Sequence, residues 1–142
     1  ADVATRSTAL GVVELLMGSL DTFKEPELQE IILAAYRDLA ANRRSRHRMT
    51  VRGTWKQIMT EVQARQDLPQ LQVFGCDLVE LQTRDCEHDN IEDVIVFGGV
   101  ESLLKVFATH AQDVDVQIRS CVAAEKLARR SADIKDMLIK GH

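Results

Sequence analysis

A chain of 142 residues with a net charge of −4, 45% hydrophobic and 28% charged residues can build one domain with its own core. That balance excludes a disordered chain and a generally basic nucleic-acid binder. Two prolines and 4% aromatics, beside abundant Leu, Ala, Val and Ile, favour helices over sheet.

The first predicted helix, VVELLMGSL, opens after Gly11, and a longer one marked by Pro26 runs over about 26–41. A short segment, RSRHRMTVRG, follows. The same order restarts at Gly53 with TWKQIMTEV, then a long helix over about 69–83 marked by Pro69, then NIEDVIVFGG. It restarts again at Gly99 with VESLLKVFA, a long helix over about 115–130 and SADIKDMLIKG. Gly11 to Leu39, Gly53 to Leu81 and Gly99 to Leu127 each span 28 residues. Self-similarity at a period of about 42–46 residues is the signature of a helical solenoid, so three units are expected at about 11–52, 53–98 and 99–140.

Counting from each glycine aligns Leu16 with Ile58 and Leu104, and Leu20 with Val62 and Ala108, on one face of the first helix. On the long helix it aligns Leu28 with Val116, Ile32 with Phe74, Ala35 with Ala123, and Leu39 with Leu81 and Leu127. The leucines are expected to be buried equivalents. On the short helix Val51, Phe97 and Ile139, and likewise Met49, Ile95 and Met137, imply burial. The middle unit is irregular, because Gln70 and Asp77 fall in apolar columns. A one-residue rotation through Leu71, Phe74, Leu78 and Leu81 gives a cleaner stripe.

Short, medium and long helices with a glycine between the first two, and the segment DVQIRSCVAAEKLARR, resemble the armadillo repeat, most clearly over Ile91 to Arg130. The resemblance implies an all-α fold, a right-handed α-solenoid of armadillo/HEAT-like repeats whose long helices line a concave groove for a peptide or partner domain. The tryptophan and asparagine ladder of the nuclear-import branch is absent. Ala34 with Asp38, Cys76 with Glu80, and Val122 with Lys126 stand in its columns. The groove positions Glu27, Asp38, Cys76, Glu80, Arg119, Lys126 and Arg129 form the candidate partner-binding site, acidic toward the first unit and basic toward the third. The chain reads as a non-catalytic scaffold that binds another protein, and its ends, neither of which reads as a polar cap, imply either a piece of a longer solenoid or end-to-end self-association through the apolar residues of 134–139.

An alternative site is the run Arg43, Arg44, Arg46, His47 and Arg48, with Arg52 nearby. It fits a docking patch for nucleic acid or acidic membrane, or equally a solvated surface near a helix C-terminus, where cations are favourable. The loop TRDCEHDN holds Asp85, Cys86, His88 and Asp89, but adjacent residues do not supply the separated ligand pairs of a metal site, and none is assigned. His47, His88, His110 and His142 are scattered, and no nucleophile elbow or phosphate loop occurs, so neither catalysis nor a cofactor is expected. Ser120 and Cys121 read as small side chains for close helix packing, Trp55 as a packing residue, and Met17, Met49, Met59 and Met137 as core.

Cys76, Cys86 and Cys121 are an odd number in dissimilar contexts and read as free thiols in a reducing compartment. No apolar run reaches the roughly 18–20 residues of a membrane span, and ADVATRSTAL lacks the order of a signal peptide. An intracellular, cytoplasmic location is expected, with the nucleus left open.

Overall fold

The computed structural model describes residues 11–141, and among them every regular element is an α-helix. In chain order these are α1 (Val12–Thr22), α2 (Pro26–Ala40), α3 (Arg43–Arg52), α4 (Thr54–Ala64), α5 (Pro69–Gln82), α6 (His88–Val96), α7 (Gly99–Thr109), α8 (Val114–Arg130) and α9 (Ala132–Lys140). None of them is long and apolar enough to cross a membrane.

The helix starts follow local chemistry. Pro26 and Pro69 occupy first turns, where a missing N–H needs no partner. Asp113, Ser131 and Asn42 accept from backbone N–H groups of Val116, Ile134 and Ser45, satisfying donors that the helix itself leaves open.

The long helices α2, α5 and α8 pack side by side, the medium helices α1, α4 and α7 form a second row behind them, and the short helices bridge the two. The core lies between the rows. Leu33, Tyr36, Ile58, Val62, Leu71, Leu78, Leu103 and Leu127 are all buried there, each contributing roughly 1.5–3 kcal/mol relative to exposure. Trp55 joins this core and donates its indole N–H to Thr50 Oγ1 at 2.9 Å, while Met49 and Met59 are buried nearby, all as expected.

Four glycines adopt the left-handed conformation: Gly11 (φ 85°), Gly53 (73°), Gly98 (81°) and Gly141 (74°). The glycine that turns before α7 is therefore Gly98, while Gly99 is the first residue of the helix itself. A Cβ at Gly98 would also lie 2.6 Å from Gln63 Nε2, whose amide donates to the carbonyls of Phe97 and Gly98. Counting from Gly99 thus slips the columns of α7 by one residue. Leu103, and not Leu104, is the buried equivalent of Ile58; Ala108 is exposed and the partly buried Phe107 takes its place beside Leu20 and Val62. The short helices are corrected in the same way. Val51, Val96 and Ile139 stand two residues before a turning glycine and all three are exposed, against the expected burial of Val51 and Ile139; Met49 and Val94 are the buried pair.

Three glutamines fix the register of the long helices independently. The Nε2 atoms of Gln29, Gln72 and Gln117 donate to the carbonyls of Phe23, Arg65 and His110, at 3.5, 2.9 and 2.9 Å. Those carbonyls fall the same number of residues after Gly11, Gly53 and Gly98. Gln72 and Gln117 also reach one carbonyl further back, Val62 and Phe107, so each glutamine closes the frayed end of the preceding helix.

Aligned on these glutamines, the packing columns are Leu28, Leu71 and Val116; Ile32, Gly75 and Ser120; Ala35, Leu78 and Ala123; and Leu39, Gln82 and Leu127. Leu81 is thus not the equivalent of Leu39 and Leu127, although it is buried; it shares a column with Asp38 and Lys126. Leu39 is only partly buried, which corrects the expectation that it is a full core residue. The one-residue rotation read for the middle unit holds for Leu71 and Leu78, both fully buried.

Candidate partner-binding groove

Side by side, α2, α5 and α8 present a hollow of about 430 Å³ lined from all three helices. Of the groove residues expected from the sequence, Asp38, Cys76, Glu80, Arg119 and Lys126 line it. Glu27 and Arg129 are exposed but do not; Arg129 is ion-paired with Glu125 on its own helix. Asp77, Leu81 and Arg84 also line the hollow and were missed, because counting from Gly53 placed the groove stripe of α5 one residue too early.

The charges at its floor form two clusters. Asp77 Oδ2 lies 3.2 Å from Arg37 Nη1 and its Oδ1 lies 3.5 Å from Arg119 Nη1, so one carboxylate of α5 ties α2 to α8. Arg37 also lies over the Phe74 ring at 4.6 Å, a cation–π contact. Glu80 receives Arg84 at 3.1 Å, Arg130 at 3.0 Å and Lys126 at 3.7 Å, and Arg130 donates to the Glu80 carbonyl as well. Glu80 is buried. It is therefore a fastener between α5 and α8 as well as a residue of the groove.

Cys76 is buried too, with Sγ 3.6 Å from Ser120 Oγ at the contact between α5 and α8. Burial pushes its thiol up to about 11, against the Ser120 hydrogen bond and with help from Asp77, so it stays protonated at neutral pH. Ser120 is buried as expected, whereas Cys121 is exposed, because it faces away from α5.

The arginine run is largely absorbed by the fold. Arg46 is buried and donates Nε and Nη2 to the two carboxylate oxygens of Asp85, at 3.0 and 2.9 Å, and Nη1 to the carbonyls of Ala40 and Ala41. Arg48 and Arg52 converge on Glu14 Oε1 at 2.6 and 2.7 Å, and Arg43 lies 3.9 Å from Asp85 and 4.0 Å from Glu87. Arg44 is exposed and makes no ion pair among the described residues. The continuous basic patch expected from Arg43, Arg44, Arg46, Arg48 and Arg52 is thus broken up by acids distant in sequence. Burial tends to raise the Glu14 carboxyl, but its own backbone N–H and the two arginines bring it below its ordinary value.

The apolar residues of 134–139 are mostly occupied as well. Ile134 is buried, Met137 and Leu138 pack against the core, and Ile139 alone among them stands exposed. Three exposed apolar side chains, Val114, Ile118 and Val122, fall together on α8, where with Cys121 they line a second hollow of about 500 Å³. Val122 lines both hollows. Among the described residues no three His, Cys, Asp or Glu side chains converge as a metal site would require. Comparison of the chain with protein-family models, curated proteins and solved structures found no match.

Proposed function

We propose that this chain is a protein-interaction scaffold, a right-handed α-solenoid of armadillo/HEAT-like repeats that binds a peptide or partner domain in the groove of its long helices and does no chemistry itself. The observation that carries this reading is the hollow of about 430 Å³ to which α2, α5 and α8 all contribute. A surface built by three stacked units reads an extended partner along its length, as a single helix pair cannot. The glutamine and glycine equivalences support the repeat assignment, since the same polar closure recurs at each step. A cytoplasmic setting is part of the proposal, consistent with three free thiols.

Docking through the arginine run is the weaker reading, because its guanidinium groups already hold Asp85, Glu14 and Glu87. A photocrosslinking side chain placed in turn at Asp38 and at Arg44 separates the two. Adducts with a native partner from position 38 are expected; adducts from position 44 alone would move the site to the arginines.

A further inference from the structure

We propose that the groove's partner is an acidic extended peptide carrying an apolar anchor, its carboxylates over α5 and α8 and its anchor in the hollow at Val114, Ile118 and Val122. This rests on the groove reading above and adds the chemistry of the occupant.

The charge count of the floor carries the first half. Arg37, Arg84, Arg119 and Lys126 line the hollow against three carboxylates, Asp38, Asp77 and Glu80, and Arg130, outside the lining, also ties Glu80. The side chains of Asp77 and Glu80 are 16% and 8% exposed, whereas those of Arg119, Arg84 and Lys126 are 46%, 44% and 40% exposed. Asp77 and Glu80 face inward, and Arg84, Arg119 and Lys126 face outward. Each buried carboxylate therefore holds cationic heads at the rim with donors left over, since a guanidinium has five N–H groups and an ammonium three. Such pre-positioned cations meet a carboxylate without first losing side-chain freedom.

The excess is local. The whole chain carries −4, so the attraction of a carboxylate to this face runs against the net field of the molecule. The exposed Asp38 at the α2 end opposes acidic residues there, which fixes the acidic part of the partner over α5 and α8. Val122 supplies the second half. It lines both hollows, so a chain leaving the cations passes directly onto Ile118 and Val114, which are exposed. An apolar side chain seated there would cover surface that the fold leaves open.

Two fluorescein-labelled peptides test this, one built of Glu, Leu, Ser and Pro and the other with Lys in place of every Glu, titrated by fluorescence anisotropy. The glutamate peptide is expected to bind at least about tenfold tighter, as charge complementarity discriminates partners of opposite sign. The combined R119A and K126A variant should abolish that preference, and I118S should weaken glutamate-peptide binding while retaining the preference. Circular dichroism confirms that each variant keeps its helices, with R119Q and K126Q singly as substitutes if the double variant unfolds. Tighter or equal binding of the lysine peptide, weakened by I118S, overturns the acidic partner and leaves the groove intact as a site. Binding of neither peptide, or glutamate binding untouched by all these substitutions, overturns both the acidic partner and the groove reading.

Discussion

Arg46 and Asp85 form a two-pronged ion pair that joins α3 to the loop between α5 and α6, with Nε and Nη2 each on its own carboxylate oxygen. The third nitrogen of Arg46 closes the end of α2 through the carbonyls of Ala40 and Ala41. One side chain thus fastens three segments. R46A is expected to cost about 3–5 kcal/mol, because it strands a carboxylate and two helix-end carbonyls whose partner is gone. R44A, at an exposed guanidinium outside any ion pair among the described residues, should stay within about 0.5 kcal/mol. Urea denaturation of the two variants checks the contrast; equal midpoints would deny Arg46 its structural place.

The acid dependence of stability should separate two aspartates of opposite sign. Hydrogen bonds from Arg46, reinforced by the charges of Arg46, Arg43 and Arg84, hold Asp85 below its ordinary value despite burial. Its stabilisation is therefore present above the unfolded-state value and lost as pH falls through the folded one. Asp93 is pushed the other way, by burial first and then by Asp89 and Glu92, so its ionisation costs stability as pH rises through the raised value. D85N is expected to lower the melting temperature at neutral pH and D93N to raise it. Both differences should vanish in acid, where every carboxylate is protonated. Melting curves across pH with a constant D85N deficit would contradict the assignment.

Much of this was legible in the sequence, and the errors have physical causes. The turning glycines, the prolines that start α2 and α5 and the aspartate that caps α8 are local signals, and together they place the long helices. Gly98 and Gly99 are adjacent and chemically identical, so the sequence does not say which adopts the left-handed turn; choosing Gly99 moved every α7 column by one. On α5 the error came from the connection. Gln29 and Gln72 do the same job, yet the stretch from Gly11 to Gln29 is one residue shorter than that from Gly53 to Gln72. One residue is about 100° on a helix, enough for that count to miss Asp77, Leu81 and Arg84, which line the hollow beside Cys76 and Glu80. The burial of Arg46 depends on an acid in the extra loop of the middle unit, and no local pattern announces that pairing.

Glycine substitutions test the backbone reading. Gly18 is exposed within α1, has no left-handed φ, and a Cβ there meets nothing within 4 Å. G18A should stabilise by about 0.4–1 kcal/mol through the lower entropy of the unfolded chain. G98A should destabilise by more than about 1 kcal/mol, since its φ of 81° strains a side chain and its Cβ would crowd Gln63. Thermal melts of both variants give the two signs directly, and a stabilising G98A would place the turn elsewhere.

The leucine columns make a graded prediction. Leu127 is fully buried and Leu39 only partly so, although the two share a packing column. L127A should cost about 2–5 kcal/mol and L39A distinctly less, because the cost follows the buried atoms removed and the cavity left. Chemical denaturation ranks them. A larger loss for L39A would reverse the burial order.

Gln82 is the member of that column that breaks its pattern, and it offers the sharpest test of the register. It is buried in a column where its equivalents are Leu39 and Leu127, and its amide nitrogen has no hydrogen-bond partner among the described residues. A buried donor left open costs about 1–3 kcal/mol, and leucine has nearly the same length without polar atoms to satisfy. Q82L is expected to raise stability by about 1 kcal/mol or more, offset only by the difference in side-chain shape. Gln72 supplies the control: its amide oxygen too has no partner among the described residues, but its amide nitrogen donates to Val62 and Arg65, so Q72L removes two satisfied bonds and should destabilise. Opposite signs from the same chemical change on one helix would follow only if α5 sits in the register fixed by its glutamine closure. Urea midpoints for the two variants decide it, and destabilisation by Q82L would shift Gln82 out of the leucine column.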